Sequence, residues 1–180
     1  GLGDVYKRQC KDRLPTAAAA ILNPKRPDCD YPFDALAGVG VAFKLILALA
    51  IKNGLKTTDV FNQYVDIATL GTIADVVPLL GENRVIVDKG LKILHNPKRI
   101  GIRAIMEVAG VLDKPLNAST IAFSIAPRLN AAGRLGSAAT AVELLLTNDE
   151  SRARELALLL DTENKERQQT ERQIFDEALE

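Results

Sequence analysis

Gly71-Thr-Ile-Ala-Asp-Val-Val-Pro78 sets one carboxylate, Asp75, in an otherwise apolar run. A buried aspartate is costly unless it is hydrogen-bonded, paired or bound to a metal, and Ile73, Val76 and Val77 predict at least partial burial. Asp75 is therefore a candidate acidic metal ligand. The alternative is a helix cap or a turn before Pro78, and spacing alone leaves both readings open. Thr57 or Thr58 is predicted to cap the segment that leads here through Val60, Tyr64, Ile67, Ala68 and Leu70.

Upstream, Gly38 opens a helical pattern with Val41, Leu45, Ala48 and Leu49 on one face, widened by Val39, Phe43 and Ile46. Asn53-Gly54 is a good C-terminal stop, and the width of the face predicts a buried helix. Pro24 to Pro32 reads as an irregular surface loop, and the apolar run Ala17 to Leu22 as a buried strand of a parallel sheet. Downstream, helices are predicted at Asn83 to Leu94, Ile102 to Val108, Ser119 to about Leu129 and Ser137 to Leu146. Asp149 can cap one last long helix, because no Gly or Pro follows it through Glu180. About 30 residues at 1.5 Å each make that helix roughly 45 Å long. Its first half carries the stripe Ala153, Leu156, Ala157 and Leu160. Thr162 to Gln173 is polar all round, as in helices that bridge domains or lie in solvent.

With 180 residues, 47% of them hydrophobic, the chain can bury a real core. No apolar run is long enough to span a bilayer. Cys10 and Cys29 form neither a CxxC pair nor a disulfide framework, so a reducing cytoplasm is expected. The net charge is zero, but residues 149–180 hold ten acids against five bases, a net of −5, which leaves +5 on residues 1–148. That first part is the better candidate to meet a polyanion. Gly1 to Gln9 lacks apolar periodicity, resembles translated adapter sequence and is set apart from the fold.

A second distinctive string, Ile125-Ala-Pro-Arg-Leu-Asn-Ala-Ala-Gly-Arg-Leu-Gly136, carries two arginines six apart around an asparagine and small residues. Arginine offers a planar fork of donors matched to phosphate, and Asn130 can bond a phosphate or hold the loop. The competing reading is a helix end whose arginines solvate the surface or pair with acids. Gly38-Val-Gly40 lacks the remaining residues of a dinucleotide or P-loop fingerprint and is read as tight packing. His95, the only histidine, is read as a surface residue.

In order, LPTAAAAILNPKRPDCDYPF, LAGVGVAFKL, YVDIATLGTIADVVPLLGENR and APRLNAAGRLG resemble the RecJ family of single-stranded-DNA exonucleases, a branch of the DHH phosphoesterases. The resemblance runs from about Lys11 to Glu180. It implies an α/β fold of which this chain carries the C-terminal part of the DHH domain, mostly helical here, ending in a long connector helix. The implied layout is a non-native leader at 1–9, a partial catalytic domain at 10–148 and an interdomain connector at 149–180. Two divalent ions, manganese or alternatively magnesium, are implied for the complete enzyme, with Asp75 as one ligand. Arg128, Asn130 and above all Arg134 inherit contacts to DNA or phosphate. The implied reaction is sequence-independent 5′-to-3′ hydrolysis of single-stranded DNA in DNA repair and recombination, in the cytoplasm.

The family's other aspartate motifs and the DHH motif itself are absent here. The expectation is therefore an internal fragment that is inactive alone and binds manganese weakly. Two alternatives stay open: a different DHH phosphoesterase acting on short oligonucleotides, cyclic dinucleotides or pyrophosphate, and a non-enzymatic helical module docking through Ile174 and Phe175.

Overall fold

The computed structural model describes Ala18, residues 20–135 and residues 138–179, with the side chains of Arg134 and Leu135 left aside. The chain divides into two compact units, Gly1–Gly90 and Leu91–Glu180.

In the first unit, α1 (Gly38–Lys52) and α2 (Thr57–Ala74) pack together, and most of α3 (Gly81–Leu94) belongs with them. Helix α1 ends as its sequence predicts. Gly54 takes φ 67°, its N–H bonds Ile51 O at 3.1 Å, and Leu55 N–H bonds Ala50 O at 2.9 Å, the arrangement that satisfies a helix's last carbonyls. The buried face differs from the expected one. Gly40, Phe43 and Ala50 are buried, with the Phe43 ring 5.2 Å from that of Phe61 on α2, whereas Leu45 and Leu49 are 44% and 49% exposed. Val41, Leu45 and Ala48 instead line a cavity of about 540 Å³ together with Ile21, Leu22 and Leu36. A helix that is apolar on nearly every side does not encode which side its partner will cover.

Neither Thr57 nor Thr58 caps α2. The N-cap is Lys56, in extended conformation, and makes no side-chain cap bond. Helix α3 crosses α2 at Gly90, where a Cβ would stand 1.8 Å from Thr69 Oγ1 and 2.8 Å from Val65 O. The missing side chain is what permits this approach, and Thr69 Oγ1 donates to Ile86 O at 3.0 Å across the same contact.

The second unit is organised on α8 (Glu150–Leu179), against which α4 (Ile100–Val108), α6 (Ala126–Leu135) and α7 (Ala138–Leu146) pack. Asp149 caps α8, accepting Arg152 N–H at 2.8 Å, and the predicted stripe Ala153, Leu156, Ala157 and Leu160 is buried. Burial continues past the stripe at Asp161 and reaches into the stretch expected to be polar all round, where Asn164 is covered. From residue 168 to residue 179 every side chain is exposed, including Ile174, Phe175 and Leu179.

A short α5 (Ala118–Thr120) leads through a π-helical turn at Ile121–Ile125 into α6, so helix continues to Leu135 where the sequence suggested a stop near Leu129. Pro127 explains the wide turn. Proline removes an N–H and crowds the preceding turn, and a π-type loosening accommodates both. The predicted strand at Ala17 to Leu22 is not found. Ala17 and Ala19 lie outside the described residues, and Ala18 and residues 20–22 are irregular, with Leu22 59% exposed. Among the described residues there is no strand for this segment to pair with, and alanine alone does not favour one. No described helix is long and apolar enough to cross a membrane.

Candidate active site

Asp75 stands at the C-cap of α2, half-buried, with its N–H bonded to Gly71 O at 3.1 Å. The residue thus terminates a helix, as one of its two readings expected. Burial is uneven around it, since Ile73 is buried and Val76 is 87% exposed. The bend itself is unusual. Val76 takes φ 53°, the only positive φ among the described residues that are not glycine. The left-handed region costs an L-residue about 1–2 kcal/mol and is a true outlier for a β-branched one. At the corresponding place after α1 and α4 stand Gly54 and Gly110, each with φ 67°.

Two neighbours hold this corner. Gly71 lies against Val39 of α1, where a Cβ would come within 2.8 Å of Val39 Cγ1. Asn83, fully buried, donates through Nδ2 to Ala35 O at 2.8 Å and to Pro78 O at 2.9 Å. It pins the chain just after Asp75 to the entry of α1. Beside it, Tyr31 Oη donates to both oxygens of Glu82 at 2.8 and 2.7 Å, and Lys44 Nζ pairs with Glu82 Oε1 at 2.8 Å. Burial pushes the Glu82 carboxyl up, but the bonds from Lys44 and Tyr31 and the Lys44 charge outweigh it, so the group sits below its ordinary value. Glu82 also occupies the first turn of α3, where the helix dipole favours an anion.

The arginine-bearing string lies in the second unit, along α6. Arg128 is only 17% exposed, donates Nε to Asp161 Oδ1 at 2.8 Å and donates Nη1 to Ser124 O in the π-helical turn. The acid-pairing alternative thus describes part of what its guanidinium does. Asn130 is exposed on the same helix. Arg134 belongs to α6, and its side chain lies outside the description. His95 is exposed, as expected, with Nδ1 2.7 Å from Leu91 O.

An oxygen donor such as Asp75 fits a hard divalent cation. Among the described residues, however, no three His, Cys, Asp or Glu side chains cluster to form a cation cage, so Asp75 would supply one ligand of a shell.

The chain is 45% identical over 161 residues to the single-stranded-DNA-specific exonuclease RecJ of Bacillus subtilis, matching 89% of this chain and 20% of that protein. Against RecJ of Escherichia coli it is 42% identical over 179 residues, matching 93% of this chain and 30% of the relative. A crystal structure of exonuclease RecJ bound to manganese superposes with a TM-score of 0.79 at 37% identity, covering 92% of this chain and 40% of that one. The chain is homologous to the RecJ single-stranded-DNA-specific exonucleases. It spans a fifth to three-tenths of the length of these RecJ relatives. RecJ of Thermus thermophilus in complex with Mn2+ matches with a TM-score of 0.74 at 39% identity, over 84% of this chain and 22% of that structure. No family model matches the chain. The helical architecture of the described residues is that of the RecJ structures.

Three residues, two of them inside the RecJ-like strings and one on α8, had no role assigned from sequence. Asn83, in GENR, fixes the turn after Asp75, and Val76 supplies the left-handed corner itself. Asp161 orients Arg128 from α8. A buried asparagine is not distinguishable from a surface one by spacing, and the partner of Arg128 lies 33 residues away.

Proposed function

We propose that this chain is a segment of a manganese-dependent exonuclease that degrades single-stranded DNA from the 5′ end in DNA repair and recombination, in the cytoplasm. The observation that carries the reading is Asp75, a half-buried carboxylate at a strained bend inside a string that resembles the RecJ family. In this reading residues 10–148 are part of the catalytic domain and residues 149–180 are the connector to a further domain. Asp75 gives one oxygen to a metal site whose other ligands come from parts of the enzyme beyond this chain, with manganese the favoured ion and magnesium the alternative. A pair of such ions, when bound, activates water and neutralises charge on the phosphate.

The chain's own residues position the substrate. Asn130 and Arg134 contact the DNA backbone from α6, and Arg128 joins them from its pair with Asp161. Contacts of this kind set register without reading bases, as suits sequence-independent digestion. Among the described residues no group of three or more ligands surrounds Asp75, so the isolated chain is expected to be inactive and to bind manganese weakly.

The test is Asp75→Ala in the longer enzyme that carries this segment. Turnover of single-stranded DNA falls at least 10³-fold (an order-of-magnitude expectation for removing one metal ligand), calorimetric Mn2+ affinity drops, and DNA binding in EDTA stays within about twofold. Retained Mn2+ binding and activity would overturn the assignment.

A further inference from the structure

Phe123 sits in the π-helical turn just before the arginine-bearing helix, with 79% of its surface exposed. Ile121 and Ile125 on either side of it are fully buried, so the turn is anchored while its aromatic ring stands in solvent. Apart from Phe175 near the end of α8, the other described aromatic side chains are buried or half-buried. The ring borders an open cavity of about 550 Å³ whose rim carries Lys114, Asn117, Ser119 and Thr120. Lys114 is exposed and has no ion-pair partner among the described residues. Asn117 spends its Oδ1 on the N–H and hydroxyl of Thr120, at 2.8 and 3.1 Å. Its amide N–H groups are therefore what it offers to an outside acceptor.

An aromatic face beside a cation and amide donors matches the composition of single-strand binding sites, where bases stack on rings and lysines follow the phosphates. We propose that Phe123 is a stacking platform for a base of single-stranded DNA, with Lys114 and the Asn117 amide holding the adjacent phosphate. This deepens the exonuclease reading and rests on it. The exposed Asn130 follows seven residues later, roughly 10 Å along the helix at 1.5 Å per residue, so one strand can span both.

The experiment uses the longer enzyme that carries this segment, with fluorescence anisotropy of a labelled oligothymidylate in EDTA and steady-state digestion in Mn2+. Phe123→Ala weakens binding about tenfold, toward the low end of the range for one base–aromatic stack, and raises KM with kcat nearly unchanged. Phe123→Trp restores binding and Phe123→Leu does not. An oligonucleotide carrying a run of abasic nucleotides binds the wild type and Phe123→Ala equally. Lys114→Ala weakens binding and lowers its salt dependence. If Phe123→Leu binds like the wild type, the ring is covered by protein and the proposal fails. If Phe123→Ala still discriminates against the abasic strand as the wild type does, it also fails. Loss of DNA digestion by the wild-type enzyme would instead sink the exonuclease reading, which separates the two failures.

Discussion

Arg128 donates its Nε to Asp161 Oδ1 at 2.8 Å across 33 residues of chain, while Lys165 Nζ holds the other carboxylate oxygen at 2.8 Å. The carboxylate is 9% exposed, and the contact joins α6 to the long helix that organises the second unit. Removing one partner leaves a charge that is mostly shielded from water. Arg128→Ala should therefore destabilise the second unit by about 2 kcal/mol, toward the low end for buried pairs because Lys165 remains. Urea denaturation checks this, and a change below about 0.5 kcal/mol would show the pair to be incidental.

The same carboxylate makes stability depend on pH. Burial alone would raise the Asp161 pKa, but hydrogen bonding to Lys165 and the charges of Arg128 and Lys165 carry it below its ordinary 3.8. Glu82 is likewise held below its ordinary 4.5 by Lys44 and Tyr31 against the opposing effect of burial. A depressed carboxyl binds its proton more readily in the unfolded chain. Its contribution is present above the unfolded-state pKa and is lost as pH falls through the folded-state value. Melting temperature should therefore hold steady down to about pH 5 and decline below it. Asp161→Asn should flatten part of that decline, and an acid limb identical to wild type would exclude Asp161 as a source.

Val76 predicts a substitution that separates stability from function. Its left-handed backbone costs about 1–2 kcal/mol, and its side chain, 87% exposed, recovers little of that by packing. Val76→Gly should stabilise the fold by about 1 kcal/mol after the greater freedom of glycine in the unfolded chain is counted. In the longer enzyme the same change should loosen the link that carries Asp75 and weaken Mn2+ binding severalfold. A lower melting temperature would mean instead that the valine is held by contacts.

Asn83 is the polar staple of the Asp75 corner. Asn83→Ala deletes two part-buried bonds to backbone carbonyls and leaves a void where the fully buried amide stood, so a loss of about 2 kcal/mol is expected. Asn83→Asp should be no better, because its carboxylate cannot donate to Ala35 O or Pro78 O. Thermal unfolding of the two variants measures both effects, and near-wild-type stability of Asn83→Asp would contradict the donor role.

Features whose physics is local were legible in the chain. Gly54 ends α1, Asp149 begins α8, and the stripe from Ala153 to Leu160 declares its buried face, because each depends on backbone conformation or a single hydrogen bond within a turn. The ordered strings around Asp75 and Arg128 likewise carry the resemblance to RecJ, since motif order is a property of the chain. Long-range packing settles which side of the mostly apolar α1 is covered, where Phe43 meets Phe61 and leaves Leu45 outside. It also decided that Arg128 faces Asp161, that Pro127 sits behind a π-helical turn, and that a valine bears the left-handed bend next to Asp75. Those outcomes rest on partners distant in sequence, and neither periodicity nor spacing reports which partner a side chain will find.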